Sequence, residues 1–233
     1  FSRQRATAAK KGPSSHPFQR RMKAFNARSP SVFVFSDVIC PWCYLGKRNL
    51  EKALQTTAGP GLVQYWPFEL NPNTPEGGVN RTEYLGARYG PALKDAEERL
   101  KTLGREAGIE YNFDRADFIP NTRKAHRLIW FASQSHPEMD LVDRLFFSYF
   151  TLGLDIGNNA ILERIATDEG LELPAGFLDS TQGNREVEEL EQKASQLGVR
   201  GVPFFVLDNR LALSGAQSVA VFLEAFAQLQ QDD

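Results

Sequence analysis

The chain has 233 residues, 42% hydrophobic and 24% charged, with a formal net charge of −2. This balance excludes global disorder and is long enough to bury a core without disulfide staples. Residues 1–31 hold eight basic residues and no acidic one; taking those eight from the 27 basic residues leaves 19 against 29 acidic, and an acidic body argues against nucleic acid as the main partner.

No apolar stretch approaches the ~20 residues needed to cross a bilayer, so no membrane partner is expected. Residues 1–30 read as a basic tail, punctuated by Gly12-Pro13-Ser14-Ser15 and closed by Ser29-Pro30. Its charges are not followed by an apolar segment, so no secretory signal is visible. An organelle transit segment, a disordered tail and sequence upstream of a start at Met22 all fit it. The expected location is cytoplasmic or organellar, mitochondrial or plastid in the transit case.

Val32-Phe33-Val34-Phe35 is a β-branched and aromatic run suited to a buried strand. Pro41 then suits a first helical position, and Leu45, Leu50 and Leu54 continue at broadly helical spacing. Thr56 to Gly61 ends that helix. Residues 62–68 read as a second strand and 71–78 as a loop. From 81 to 198 the pattern is mainly helical, with predicted helices at 81–89, 91–107, 122–135, 138–152, 158–169 and 184–197. Leu141, Leu145, Phe146, Tyr149 and Leu152 form an apolar stripe of period 3.6, which reads as core packing. Phe204–Leu207 returns to strand, Asp208-Asn209-Arg210 turns, Leu211–Leu213 is another strand, and 217–230 is a last helix. The order predicts an α/β, thioredoxin-like fold with a large helical insertion. It divides the chain into a tail at 1–30, a thioredoxin-like domain at 31–80 and 199–233, and a helical insertion at 81–198.

The two cysteines are Cys40 and Cys43, in Cys40-Pro41-Trp42-Cys43. At i and i+3 around a helix start, their Cα atoms can reach the ~5.5 Å of a disulfide. Cys40 falls at the N-cap, where free backbone N–H groups and the helix dipole favour a thiolate, the nucleophilic form. Cys43, one turn inside and less exposed, suits the resolving role. The competing readings are an inert buried pair and half of a zinc site. Structural zinc takes four ligands, and the three histidines, His16, His126 and His136, lack the spacing for it. No metal is expected. A second signal is Gly198-Val199-Arg200-Gly201-Val202-Pro203-Phe204-Phe205, a proline just ahead of an apolar strand.

Cys-Pro-Trp-Cys-Tyr-x-Gly-Lys after a strand, with Gly-Val-x-Gly-Val-Pro-Phe-Phe before one, resembles the DsbA-like thioredoxin-fold oxidoreductase family, and within it the FrnE-type subgroup. Phe68-x-Leu70-Asn71-Pro72, Asn121-Thr122-x-x-Ala125-His126-Arg127-Leu128 and Ser214-Gly215-Ala216-Gln217 match as well. The resemblance runs from about residue 32 to 230. It implies catalytic Cys40 and Cys43, a cis Val202–Pro203 bond against them, and substrate contacts from Pro41, Trp42, Val202 and Pro203. The Val202 backbone would pair with an extended peptide. Pro-Trp stands where DsbA itself has Pro-His, which implies a weaker oxidant. The superfamily also holds 2-hydroxychromene-2-carboxylate isomerases and kappa-class glutathione transferases. These typically have Ser at the first cysteine position and no second cysteine, so the dithiol favours redox chemistry.

The residues leave several smaller questions open. His126 is either a proton shuttle or substrate contact, or an ordinary helix-surface or core-edge histidine, the reading favoured here. Asn121 reads as a helix cap, with a substrate contact as the alternative. Ala216 and Gln217 would present N–H groups at a helix start, for a glutathione carboxylate or for ordinary capping. Asp37 and Lys47 flank the cysteines and either tune Cys40 or are solvated. The leading expectation is a thiol–disulfide oxidoreductase or isomerase with protein thiols or disulfides as partners. It needs no bound cofactor beyond the Cys40–Cys43 disulfide, with glutathione as a co-substrate. The alternatives are a glutathione-dependent isomerase or transferase and a redox-sensing peptide-binding module.

Overall fold

A computed structural model describes residues 30–57, 62–136 and 140–231. All of the expected tail except Pro30 therefore lies outside the described residues. Four strands form the main sheet: β1 (Val32–Ser36), β2 (Val63–Pro67), β5 (Phe204–Leu207) and β6 (Leu211–Ser214), in the order β2-β1-β5-β6. β1 runs parallel to β2 and antiparallel to β5, and β5 and β6 form an antiparallel hairpin. The three residues 208–210 connect that hairpin, with Asp208 and Asn209 in the left-handed region at φ of 49° and 55°. Asp208 also accepts from the Ser31 N–H and hydroxyl at 2.6 and 3.0 Å, tying the chain ahead of β1 to the hairpin.

Every residue of β1 is buried, as befits a strand with neighbours on both edges and cover on both faces. Val32 and Val34 face one side with Phe205 and Leu207. There they meet Leu50, Ala53 and Leu54 of α1 (Pro41–Thr56) and Phe222, Ala225 and Phe226 of the C-terminal helix (Val219–Gln231). Phe35 faces the other side, against Trp66, Phe204 and Ala194. This alternation is the period of two read in the sequence.

Between β2 and β5 the chain is mainly helical. After β3 (Val79–Asn80) come α2 (Arg81–Tyr89) and α3 (Ala92–Ala107). After β4 (Phe118–Ile119) come α4 (Arg123–Ser135), α5 (Leu141–Phe150), α6 (Asn159–Asp168) and α7 (Asn184–Gln196); the C-terminal helix is α8. Most boundaries fall within two residues of the sequence reading because caps mark them. The side chains of Asn80, Asp140 and Asn158 accept from backbone N–H groups in the first turns of α2, α5 and α6. The sequence reading missed β3 and β4, which pair antiparallel; strands of two residues show no periodicity. It also missed a 3₁₀ turn at Phe177–Asp179. The last helix starts at Val219 instead of 217, because Ser218 takes the cap position, its hydroxyl accepting from Val221 N–H.

The cysteine end of α1 packs into the helical core. Tyr44 is 1% exposed and stacks on Phe146 of α5, with ring centroids 4.9 Å apart. One turn on, Lys47 is also 1% exposed. Its ammonium binds Glu51, Asp140 at 2.6 Å and Asp143 at 3.4 Å. Lys47 therefore neither faces Cys40 nor is solvated: its length carries the charge to the N-terminus of α5, where carboxylates replace water. Among the described residues, no helix is long and apolar enough to cross a membrane.

Phe205 is fully buried and meets Phe222 edge-on at 4.9 Å. Phe205→Ala is expected to cost about 3–5 kcal/mol in urea unfolding. Leu197→Ala, at a residue 58% exposed, should stay within about 0.5 kcal/mol. Equal losses would show that the β5–α8 contact is not the core.

Candidate active site

Cys40 is the N-cap of α1, with φ −91° and ψ 111°, and Pro41 follows at the first helical position. The Cys40 N–H donates to the Asp37 carbonyl at 3.0 Å, and the Cys43 N–H to the Cys40 carbonyl at 3.0 Å. The two cysteines are thus fixed by the helix start itself. Both are free thiols, and both are buried, Cys40 at 4% and Cys43 at 2% exposure. The expected contrast in exposure is slight, because the loop ahead of β5 lies against Cys40. Its thiol donates to the Val202 carbonyl at 3.7 Å, within the longer range of a sulfur contact.

The Val202–Pro203 bond is cis. Its loop can come this close because α1 has a glycine beneath it: a Cβ on Gly46 would lie 3.0 Å from Phe205 Cζ and 3.1 Å from Pro203 Cγ. Trp42 is partly buried, with the Arg99 guanidinium 5.9 Å from its ring centroid. Pro41, Trp42, Val202 and Pro203 are therefore grouped around the cysteines.

Tyr111 joins them without any signal in the sequence. Its phenol donates to the Pro41 carbonyl at 2.6 Å, and burial raises its pKa. The ring packs on Gly104 of α3, where a Cβ would come within 2.6 Å of it. A glycine inside a predicted helix marks such a close approach, but not which ring makes it.

The remaining candidates divide. His126 is 3% exposed, and its Nε2 lies 3.2 Å from Oδ1 of Asp37, itself 0% exposed. The expected surface or core-edge histidine is thus a buried partner of the loop that leads into Cys40, and Asp37 is equally far from being solvated. The reason is topological: α4 packs against β2, and its inward face meets the segment after β1. Asn121 is not the cap of a helix beginning at Thr122: the helix begins at Arg123 with Thr122 at the cap position. Asn121 lies one residue earlier, its Oδ1 accepting from Arg123 N–H at 3.0 Å while its amide donates to Thr74 O at 2.7 Å. It lines a cavity of about 380 Å³ with Glu69, Arg123, Lys124 and Arg127, and neither cysteine lines that cavity. Ala216 packs close to Gly46. Gln217 precedes the cap of α8, its amide donating to Ser214 O at 2.5 Å and its carbonyl accepting from Asn49. These two residues are not the helix start that the sequence reading made them.

The Cys43 sulfur is in a setting that opposes its ionisation. Burial pushes the Cys43 thiol well above its ordinary range, and the adjacent Cys40 adds to that, while the Ser36 hydroxyl and the Asp37 N–H pull it down.

The fold and this helix start define a thioredoxin-fold protein with a redox-capable thiol pair. The match to one family extends over residues 31–227, and the chain belongs to the DSBA-like thioredoxin domain family. The crystal structure of a probable DsbA oxidoreductase from Streptomyces coelicolor is 31% identical, with a TM-score of 0.80, covering 88% of this chain and 91% of that one. YwbO of Bacillus subtilis, an uncharacterized protein, is 25% identical over 206 residues, 86% of this chain and 97% of its own length. The cytosolic disulfide reductase DsbM of Pseudomonas aeruginosa, in its structure with GSH, shares the fold at 18% identity and a TM-score of 0.61, covering 86% of this chain and 99% of that one.

A thiol held above its ordinary pKa stays protonated at neutral pH, and each further unit costs about tenfold in thiolate. Iodoacetamide at pH 7–8 should therefore label Cys40 of the reduced protein and spare Cys43 until the chain is unfolded. Peptide mass spectrometry reads this directly. Equal labelling of both in the native state would contradict the burial of Cys43.

Proposed function

We propose that the protein is a thiol–disulfide oxidoreductase or isomerase in which Cys40 attacks and Cys43 resolves. The observation that carries this is the placement of Cys40 at the N-cap of α1, its sulfur against the Val202 carbonyl, with Cys43 one turn behind it. In the reducing direction the Cys40 thiolate attacks a substrate disulfide, forming a mixed disulfide and releasing one substrate thiolate. The Cys43 thiolate then attacks the Cys40 sulfur. The Cys40–Cys43 bond forms, the second substrate thiolate leaves, and two electrons have passed from the pair to the substrate. The reverse order oxidises a dithiol.

Residues 31–80 and 199–233 supply the reacting loops in this reading, and the insertion at 81–198 covers them. Pro41, Trp42, Val202 and Pro203 border the sulfur that would meet substrate. A protein disulfide is the proposed substrate, since the Val202 backbone adjoins that sulfur in a position to pair with an extended peptide. Glutathione is the proposed small-thiol co-substrate, a reading supported by the glutathione-bound DsbM that shares this fold. The presence of both thiols favours this over an isomerase reaction on a small aromatic compound, which needs no second cysteine.

Cys43→Ser should still attack a disulfide substrate and accumulate mixed disulfides on non-reducing gels. Cys40→Ser should lose both attack and trapping, and either change should abolish insulin reduction with dithiothreitol. If only Cys40→Ser traps adducts, the roles are reversed. Trapping by both variants, with turnover intact, would reject dithiol chemistry.

A further inference from the structure

The resolving step asks a buried thiol to act as a nucleophile. Two groups are placed to help it, and both belong to the end of β1. The Ser36 hydroxyl is buried without a hydrogen-bond partner, and it and the Asp37 N–H are the groups that pull the Cys43 thiol down. The position of that N–H depends on how the Asp37 side chain is held. One carboxylate oxygen accepts from Leu70 N–H at 2.7 Å, in the loop after β2. The other faces His126 Nε2 at 3.2 Å, from the inserted helix α4. The Asp37 carbonyl in turn accepts from Cys40 N–H at 3.0 Å. One residue thus bonds Cys40 through its backbone carbonyl, acts on the Cys43 thiol through its N–H, and is anchored from two other elements through its carboxylate.

We propose that the buried Asp37–His126 pair is a positioning device for the resolving cysteine, holding the end of β1 so that the Asp37 N–H faces the Cys43 sulfur as it attacks Cys40. This rests on the dithiol reading above and deepens it. In that attack the Cys43 thiol loses its proton to solvent, the Cys43–Cys40 bond forms, and the bond from Cys40 to the substrate sulfur breaks. The electron pair leaves on the substrate thiolate, which takes up a proton. A hydrogen bond to the ionised sulfur favours the attacking form. The pair does not act alone electrostatically. Glu69, from the loop after β2, feels His126 and Asp37, and is bound by Arg123 of α4 at 2.7 Å. Arg123 also reaches Glu191 of α7 at 3.1 Å, Tyr149 of α5 feels Asp37, and Cys40 adjoins Cys43.

The test separates the two steps. Reduced protein is mixed with 5,5′-dithiobis(2-nitrobenzoate) in a stopped-flow instrument. The first thionitrobenzoate release reports attack by Cys40, and the second reports resolution by Cys43. In His126→Leu the second phase should slow by about tenfold, the effect of losing one hydrogen bond to an ionised acceptor. Its midpoint should move to higher pH, and the first phase should be unchanged. His126→Gln, which keeps a donor toward Asp37, should restore the second phase. If His126→Leu does not fold, Asp37→Ala removes the other half of the pair and carries the same expectation. An unchanged second phase, equal slowing of both phases, or failure of both variants to fold would overturn the proposal while the dithiol reading stood. A wild-type second phase that survives Cys43→Ser would overturn that reading, and this proposal with it.

Discussion

Cys40 and Val202 are 162 residues apart in sequence, yet their side chain and backbone meet at 3.7 Å. What brings them together is the antiparallel pairing of β1 with β5, in the register Val32 with Leu207 through Phe35 with Phe204. In that register the end of β1, which leads into Cys40, lies beside the beginning of β5, which follows Pro203. Slipping it by one residue would turn Val34 and Phe205 away from α1 and α8 and expose a row of apolar side chains. The hydrophobic layer thus enforces the register, and the register assembles the site. Closing so long a loop is slow to pay back during folding but costs little more than closing one half its length, since the penalty grows only logarithmically. A large insertion between β2 and β5 is compatible with this geometry at the cysteines for that reason.

The insertion is more than a spacer, because the N-terminal half of α1 is buried in it. Tyr44 stacks on Phe146, Tyr111 donates to Pro41, and His126 meets Asp37. Two polar clusters lie in this zone, one of ion pairs around Lys47 and the other around Asp37, His126 and Glu69. Buried ion pairs are weak sources of net stability, because desolvation opposes the attraction. Their effect is directional: each fixes where an element sits. The Lys47 group ties α1 to the start of α5, and the Asp37 group ties the end of β1 to β2's following loop and to α4.

The elements with long periodic patterns were legible in the sequence. The β1 run, the six central helices and the β5–β6 hairpin each announce themselves by period, cap or turn residues. The cysteine pair was legible because two reactive side chains at i and i+3 after a strand leave few alternatives. Other parts were not legible. β3 and β4 are too short for a pattern, and Tyr111 sits in a loop where nothing marks its hydroxyl. Lys47 read as solvated or tuning because a lone lysine says nothing of the carboxylates waiting on another helix. His126 read as peripheral for the same reason: its partner is 89 residues away, and a pairwise contact at that separation leaves no trace in local sequence. Ala216 and Gln217 were misplaced by the shift of the α8 cap to Ser218.

The two thiols show how one helix start can impose unequal chemistry on identical side chains. Cys40 occupies the N-cap, where α1 still has free N–H groups, and its outer neighbour is a carbonyl from a different strand. Cys43 has completed its turn of helix and faces the interior, so burial dominates and its thiol is hard to ionise. For a thiol that must not react with outside partners, this is an advantage. External reagents find few thiolates, whereas a disulfide at Cys40 is an intramolecular target. Well-oriented intramolecular reactions reach effective molarities of about 10⁵–10⁸ M, which works against the loss of thiolate that burial imposes. In the dithiol reading proposed above, Cys43 held this way is nearly silent toward solvent and still competent toward Cys40. The burial that makes it a poor general nucleophile is therefore what restricts it to one partner.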